Sequence, residues 1–333
     1  MIPAANPPLV TVAVATIGRT EYLRHTLDSL QAQTYPHTEV IILDNDSPRE
    51  TQELLAAFSA SHGNARVLRS DERLPMDVNF QRGVAAAAGA FVVFFHDDDI
   101  YLPRFIERQA QFLQAHGPVG FVGSNSLMIN GQGQVLRARS IVKHTTVVAG
   151  GAYIRAVLTA GRSPIGTPCI MYRKTFLDRF GFGEVLRRHN GDLVTLMRMA
   201  EHGDVGMIAD VLWRTRVHAG SFTASVPPGP ALTTGRDVFL AYCDEYARRH
   251  PTQAVEFQAI KRVIVRRHPY LLAGAWLRSS ESESAQSVVA ALREQGFAGL
   301  ALACSLMDRT GVGQILRRVL SGGERIWVRA SDG

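Results

Sequence analysis

The first hundred residues alternate short apolar runs with helical patterns, and this alternation constrains the fold more than any other feature. Runs typical of β-strands cover residues 9–15, 39–43, 65–68 and 90–95, and helical patterns separate them. Such an order predicts an α/β fold with a mainly parallel sheet and helices on both faces. Ligands of these sheets bind at the carboxyl ends of the strands. Thr16, Asp44 and Asp97–Asp99 each follow a predicted strand, so we expect them to meet at one edge.

Three consecutive aspartates, Asp97, Asp98 and Asp99, follow the apolar run of residues 91–95, with only His96 between. Neighbouring carboxylates repel one another and are costly to bury unless a positive group neutralises them. Mg²⁺ and Mn²⁺ take oxygen ligands, and they commonly combine one or two carboxylates with substrate phosphates. The simpler alternative is that one aspartate caps a helix that has Pro103 in its first turn. Three acidic residues in a row favour a binding site.

Composition and cysteine usage exclude several classes of protein. The 333 residues are 46% hydrophobic and 20% charged, as in a globular chain of one large domain or two. Cys169, Cys243 and Cys304 fit neither a disulfide framework nor a zinc pattern, which indicates a reducing compartment. Met1–Pro8 has no signal-peptide pattern, and no apolar run reaches the roughly 20 residues of a membrane span. We therefore expect a cytoplasmic protein.

The positive charge is concentrated toward the C-terminus. The chain has 36 Lys and Arg against 30 Asp and Glu, a net charge of +6, and paired basic residues recur beyond residue 245. A solvated surface explains such pairs, and peripheral contact with an anionic membrane is the alternative. Nucleic acid is disfavoured because no binding motif accompanies the charge. The apolar residues of 297–306 fit either a helical core or a homodimer contact.

The second half of the chain divides at a proline-rich segment. Residues 121–225 are irregular, with a helical pattern at 193–201 and a strand pattern at 211–217. Val226–Pro230 is typical of a linker, and helical patterns follow it. The prediction is one domain over residues 1–225 and a helical region over residues 226–333 that provides membrane or dimer contacts.

Motifs along residues 9–225 occur in an order that resembles a known family. In chain order they are Val10–Thr16 with Tyr22–Leu23, Gln33–Pro36, Glu39–Asn45 with Ser47, Asn79–Gly83 with Gly89, His96–Asp99, Gly181–Glu184, Asp192 with Arg198, and Arg216–His218 with Gly220–Ser221. The set resembles the family 2 glycosyltransferases, whose nucleotide-sugar-binding fold is called GT-A. The resemblance implies that residues 1–225 form a Rossmann-like GT-A domain that binds the nucleotide sugar, and that residues 226–333 can contact the acceptor. It also implies a metal-dependent transfer of sugar with inversion from a nucleoside diphosphate, UDP in the usual case. The implied acceptor is a glycan or a lipid-linked molecule in polysaccharide synthesis.

The same resemblance implies roles for individual residues. It places Asp98 and His218 on Mn²⁺ or Mg²⁺, and Asp192 as the catalytic base that deprotonates the acceptor hydroxyl. The residues that it places on the nucleotide are Thr16, Arg19, Asp44, Asn79, Asp97 and Arg216.

Two departures from the family pattern leave alternatives open. His96 stands where many members have aspartate, and Gly191 stands where the family usually has glutamate. These departures are the support for a non-catalytic relative that binds nucleotide sugar. A retaining transferase on the same fold is a further alternative. Segment 15–20 lacks the glycine-rich loop of a dehydrogenase and the glycine- and lysine-rich loop of a nucleotidyltransferase, which disfavours both.

Overall fold

The computed structural model describes residues 7–139, 142–166, 170–183, 187–188, 190–221, 226–279 and 282–309. These residues divide into two units. The first lies within residues 1–157, 162–187 and 192–217, and the second within residues 158–161, 188–191 and 218–333. Cys169, Glu184 and residues 167–168 lie outside the described residues. The predicted boundary at residue 225 stays a prediction.

The first unit begins with the predicted alternation of strands and helices. The strands are β1 (Val10–Thr16), β2 (Thr38–Asn45), β3 (Ala65–Ser70) and β4 (Phe91–His96), and the helices between them are α1 (Thr20–Gln31), α2 (Arg49–Ser61) and α3 (Met76–Ala86). All three pairings among these strands are parallel, in the spatial order β3-β2-β1-β4. The centres of β1, β2 and β4 are fully buried, as expected for strands covered by helices on both faces.

The rest of the first unit adds antiparallel strands to this sheet. Its further strands are β5 (Ile100–Tyr101), β6 (Val119–Ile129), β7 (Val135–Arg139), β8 (Thr146–Val148), β9 (Met171–Arg173) and β10 (Asp204–Arg216), and its further helices are α4 (Phe105–Ala115), α5 (Gly150–Ala160), α6 (Lys174–Phe180) and α7 (Gly191–Ala200). β9 lies antiparallel between β4 and β6, and β10 runs parallel to β6. Within the described residues the sheet has ten strands. The α/β class with a mainly parallel sheet is confirmed.

The second unit contains the helical C-terminal region. Its helices are α8 (Pro228–Arg249), α9 (Ala254–Arg278), α10 (Ser282–Glu294) and α11 (Ala298–Arg309). Their buried core includes Leu272, Trp276, Val288, Leu292 and Cys304, so the helical prediction is confirmed. No helix among the described residues is long and apolar enough to span a bilayer.

Two local expectations differ from the structure. α4 begins at Phe105 rather than at Pro103. The expected linker at Val226–Pro230 is largely helix, since the fixed φ of Pro228 suits a first helical turn.

Candidate functional site

The register of the parallel strands brings the predicted polar residues to one edge of the sheet. Thr16 at the end of β1 pairs with Asp44 on β2, and the preceding residue of β1 pairs with His96 at the end of β4. Asp97 therefore emerges beside Thr16. The sequence prediction that these residues meet at the carboxyl edge is confirmed.

Asp97 is the centre of a hydrogen-bond network built by the loop after β1. Its Oδ2 accepts from Thr16 Oγ1 at 2.7 Å and from the Ile17 N–H at 3.1 Å, and its Oδ1 lies 2.7 Å from Arg19 Nη1. Thr16 Oγ1 also accepts the Gly18 N–H at 3.0 Å. Both oxygens of this buried carboxylate are thus satisfied by the protein itself.

The other two aspartates lie in different surroundings. The side chain of Asp98 is 14% exposed, and its Oδ2 lies 3.5 Å from Arg19 Nη1. Asp99 is buried, and its Oδ1 accepts the Arg216 N–H at 2.8 Å. Burial raises the pKa of Asp99 well above its ordinary value, and the neighbouring Asp98 carboxylate adds to the effect. Of the three aspartates, Asp98 is the most exposed.

Arg216 at the end of β10 ties the aspartate loop to the rest of the first unit. Its Nε donates to the carbonyl oxygen of Asp98 at 2.9 Å, and its Nη1 donates to the carbonyls of Asn130 and Gly131 at 3.2 and 2.9 Å. The guanidinium lies 4.6 Å from the ring centre of Tyr22, a cation–π distance. Arg216 is only 5% exposed. The resemblance implied a nucleotide contact, whereas these bonds are internal to the protein.

Asp44 and Asn79 are buried near the ends of β2 and α3. Asp44 Oδ1 accepts the Ser47 N–H at 3.1 Å, and Oδ2 lies 3.5 Å from Arg69 Nη1. Asn79 Oδ1 accepts from Arg82 Nη1 at 3.1 Å. A carboxylate has about four lone-pair sites, so Asp44 retains the capacity to accept a further hydrogen bond.

Asp192 lies in the first turn of α7, where the helix dipole favours a carboxylate. Its charge acts on His96 at the end of β4. Burial is the main cause that lowers the pKa of His96, and the carboxylates of Asp97, Asp98 and Asp192 oppose it. Asp192 is therefore electrostatically linked to the aspartate loop.

His218 follows the end of β10 by two residues and belongs to the second unit. Its carbonyl oxygen accepts the Ser221 N–H at 3.2 Å. Its role as a metal ligand stays a prediction.

The sequence argument missed an ion pair in the first unit. Arg187 Nε lies 2.6 Å from Asp77 Oδ1, and its Nη2 lies 3.0 Å from Oδ2. The bonds from Arg187 are the main cause that holds the pKa of the buried Asp77 below its usual value. The partners lie 110 residues apart, so no local pattern marks them, and an Asp in the first turn of a helix reads only as a favourable charge.

The donor atoms present suit a metal shared with substrate rather than an all-protein site. Among the residues that the structure describes, no three His, Cys, Asp or Glu side chains are grouped so as to hold an ion. Asp97 and Asp99 are buried and hydrogen-bonded within the protein, and Asp98 is the most exposed of the three carboxylates. One carboxylate with phosphate oxygens and waters is a common arrangement for Mg²⁺.

Sequence comparison gives a family and distant relatives. The profile described as Glycosyl transferase family 2 matches residues 11–180. An uncharacterised glycosyltransferase of Methanocaldococcus jannaschii is 22% identical over 190 residues, which span 56% of this chain and 63% of that protein. Glycosyltransferase AglE of Haloferax volcanii is 28% identical over 120 residues, which span 35% of this chain and 39% of that protein. The chain thus covers less than two thirds of the length of these curated relatives.

Solved structures with low sequence identity share the fold. TarS 1-349 of S. aureus in complex with UDP-GlcNAc superposes with a TM-score of 0.63 at 19% identity, covering 86% of this chain and 80% of that one. Mannosyltransferase PcManGT from Pyrobaculum calidifontis, in complex with GDP-Man and Mn²⁺, gives a TM-score of 0.58 at 17% identity, with coverage of 98% and 87%. These likenesses show that the fold is of the GT-A type.

Proposed function

The chain belongs to glycosyl transferase family 2, and we propose that it transfers a sugar from a nucleoside diphosphate sugar to a hydroxyl group, with inversion at the anomeric carbon. The observation that carries the proposal is the loop cluster at the carboxyl edge, where Thr16 and Arg19 hold Asp97 and where Asp98 is the most exposed of the three aspartates. This edge is where ligands of such sheets bind. The UDP-GlcNAc and GDP-Man in the two neighbours support a nucleotide-sugar donor.

We assign the nucleotide to the side of the edge formed by β1 and β2. The carboxylate of Asp44 would accept the imide N–H of uracil, which favours a UDP-linked donor. Asn79 and Thr16 would border the nucleoside, and Arg19 would approach the diphosphate. The Arg69 guanidinium, whose Nη1 lies 3.5 Å from Asp44 Oδ2, helps to orient that carboxylate.

We propose that a divalent cation, Mn²⁺ or Mg²⁺, binds at Asp98, and the role of His218 as a metal ligand stays a prediction. When bound, the ion would neutralise charge on the departing diphosphate. The Mn²⁺ in PcManGT supports the assignment. Arg19 also places positive charge at this edge, because its Nη1 lies 2.7 Å from Asp97 Oδ1 and 3.5 Å from Asp98 Oδ2.

Asp192 is the proposed general base. Its carboxylate would take the proton of the acceptor hydroxyl as that oxygen attacks the anomeric carbon from the face opposite the nucleotide. The bond from the anomeric carbon to the diphosphate oxygen breaks with its electron pair on the leaving group, so configuration inverts. A retaining enzyme would use no base at this position, and a non-catalytic relative would bind the donor without transfer.

The acceptor is proposed to be a glycan or a lipid-linked oligosaccharide of a surface polysaccharide, reached by a cytoplasmic enzyme at the membrane.

In α9, Val263, Arg266 and Tyr270 share one exposed face at spacings of three and four residues. A face that combines basic and apolar side chains suits an anionic membrane surface. Co-sedimentation with vesicles that contain anionic lipid, compared with neutral vesicles, tests this contact. Arg266→Glu should abolish any preference for the anionic vesicles. Equal binding of the wild-type protein to both kinds of vesicle would reject the membrane contact. A homodimer stays a prediction.

The experiment that tests the function is calorimetric titration with UDP, GDP, dTDP and CDP, with and without Mn²⁺. We expect metal-dependent binding of one diphosphate, UDP. Asp178→Ala, an exposed carboxylate on α6, is the matched control for Asp98→Ala. Absence of binding to all four nucleotides by folded protein would reject the donor site. Binding without hydrolysis or transfer of any sugar would favour the non-catalytic alternative.

A further inference from the structure

The second unit contains a pocket that the proposed reaction does not use. All of its lining residues belong to that unit, and they come from α8, α9, residues 158–161 and Asn190. It encloses about 410 Å³ of space, part of it open to solvent. That space includes open solvent, so a ligand bound here would lie partly exposed.

The walls of the pocket are apolar. Leu232 and Phe239 contribute from α8, Ile264 and Leu271 contribute from α9, and Leu158 contributes from the end of α5. Apolar surface of this kind favours a ligand with a hydrocarbon body, since burial removes apolar area from water.

One of the lining residues carries a buried polar atom that lacks a partner among the described residues. His268 is 2% exposed, and its Nε2 makes no hydrogen bond with any described residue. Buried polar atoms are nearly always hydrogen-bonded to protein, water or ligand. Burial, with the nearby Arg236 charge, lowers the pKa of His268 to about 4, so the imidazole is neutral near pH 7. A neutral imidazole can offer a hydrogen-bond donor at Nε2.

The charged lining residues are both cationic. Arg236 and Arg267 line the pocket, and none of its lining residues is acidic. Arg236 is paired with Asp237 at 2.6 Å. Arg267 donates to the carbonyl oxygen of Thr159, and within the described part of the chain it forms no ion pair with a carboxylate. Its charge is therefore available to an anion.

We propose that this pocket binds a small amphipathic anion, a phosphate monoester with a short apolar body, whose head group contacts Arg267 and His268. The apolar walls take the body of the ligand, and the oxyanion accepts hydrogen bonds from the guanidinium and from Nε2–H. The site is separate from the donor site in its residues, so its occupant is an acceptor fragment or an effector rather than the nucleotide sugar.

Calorimetric titration with n-hexyl phosphate, inorganic phosphate and n-hexanol tests the proposal. We expect hexyl phosphate to bind at one site and at least about tenfold more tightly than either fragment. Tighter or equal binding of inorganic phosphate would show a site for free phosphate and overturn the amphipathic ligand. Failure of hexyl phosphate to bind at millimolar concentration would overturn the proposal as a whole.

Variants on α9 locate the binding. Arg267→Gln should weaken hexyl phosphate about tenfold or more, because it removes a charge-assisted hydrogen bond. Arg262→Gln is the matched control, an exposed arginine on the same helix that does not line the pocket. His268→Phe keeps an aromatic ring and removes the unpartnered Nε2, so it should weaken binding without lowering the melting temperature. Unchanged affinity in both pocket variants would overturn the assignment. Each variant should bind UDP as the wild type does, which separates this result from a failure of the donor site.

Discussion

Substitution of Arg216 by lysine distinguishes a structural role from a phosphate-binding role. Arg216 makes three hydrogen bonds to main-chain carbonyls and lies over Tyr22. Lysine keeps the charge, but its single ammonium group cannot reach carbonyls that the guanidinium spans as a planar fork. We expect two of the three bonds to be lost.

The magnitude follows from those bonds. A hydrogen bond to a charged group contributes about 1.5–3 kcal/mol, so the loss of two lowers the free energy of unfolding by about 3 kcal/mol or more. Since domains of this kind are stable by about 5–15 kcal/mol, the variant should still fold. The aspartate loop would be less rigid, because one lost bond is the one to the Asp98 carbonyl.

Urea unfolding, together with titration of UDP and uridine, provides the assay. If Arg216 acts only by holding the aspartate loop in place, the variant should be less stable and should lose affinity for UDP and for uridine by the same factor. Arg214→Lys is the matched control, two residues earlier on β10 and without a hydrogen bond to the described aspartate loop. Unchanged stability with a selective loss of UDP affinity would refute this structural role and make Arg216 a diphosphate ligand.

Four further outcomes test other parts of the molecule. Asp98→Ala should remove the Mn²⁺ dependence of UDP binding, and an unchanged affinity with Mn²⁺ would take this residue out of the metal site. Asp192→Asn should keep UDP binding and lower transfer by at least about 100-fold; full activity would reject the base. The pKa of His268 is about 4 in the folded protein against 6.5 in the unfolded chain, so the unfolded state binds more protons between these values and stability should fall by up to about 3 kcal/mol as pH drops from 6.5 to 4. His268→Phe should abolish that loss in urea titrations at both pH values, and an unchanged pH dependence would contradict it. Gly18 has a φ of 93°, and a Cβ there would lie 2.3 Å from Pro48 Cδ, so Gly18→Ala should lower the melting temperature, and an unchanged value would show that the loop tolerates a side chain.

The sequence was sufficient for the parallel half of the sheet because β1, β2 and β4 are buried apolar strands that end in polar residues or lead directly into them. The period of the apolar residues defines β1 to β4, and chain order then places Thr16, Asp44 and Asp97 at one edge. Local patterns fail where an element is short or depends on distant pairing. β5 has two residues, and it exists through its pairing with β10, far away in sequence.

Sequence reasoning missed the helix at Gly150–Ala160 and predicted a linker where α8 begins, and both errors have a related cause. Two glycines begin α5, and prolines surround the start of α8. Glycine and proline are turn signals in an isolated window. Here burial of apolar residues farther along each helix outweighs those signals, as tertiary packing commonly does for helices.

The different environments of the three aspartates could not be read from their sequence, because residues far along the chain determine them. Arg19 lies 78 positions before Asp97, and Arg216 lies 117 positions after Asp99. Arg19 and Arg216 bond to Asp97 and Asp99 and so fix the loop, whereas Asp98 is the most exposed of the three and is the proposed contact for the substrate. A run of acidic residues is therefore not a count of metal ligands. Loss of activity in a variant of any one of the three would not identify a ligand by itself, since loss of the two buried carboxylates would disturb the loop that holds the third. Stability measured beside activity separates the ligand from its supports.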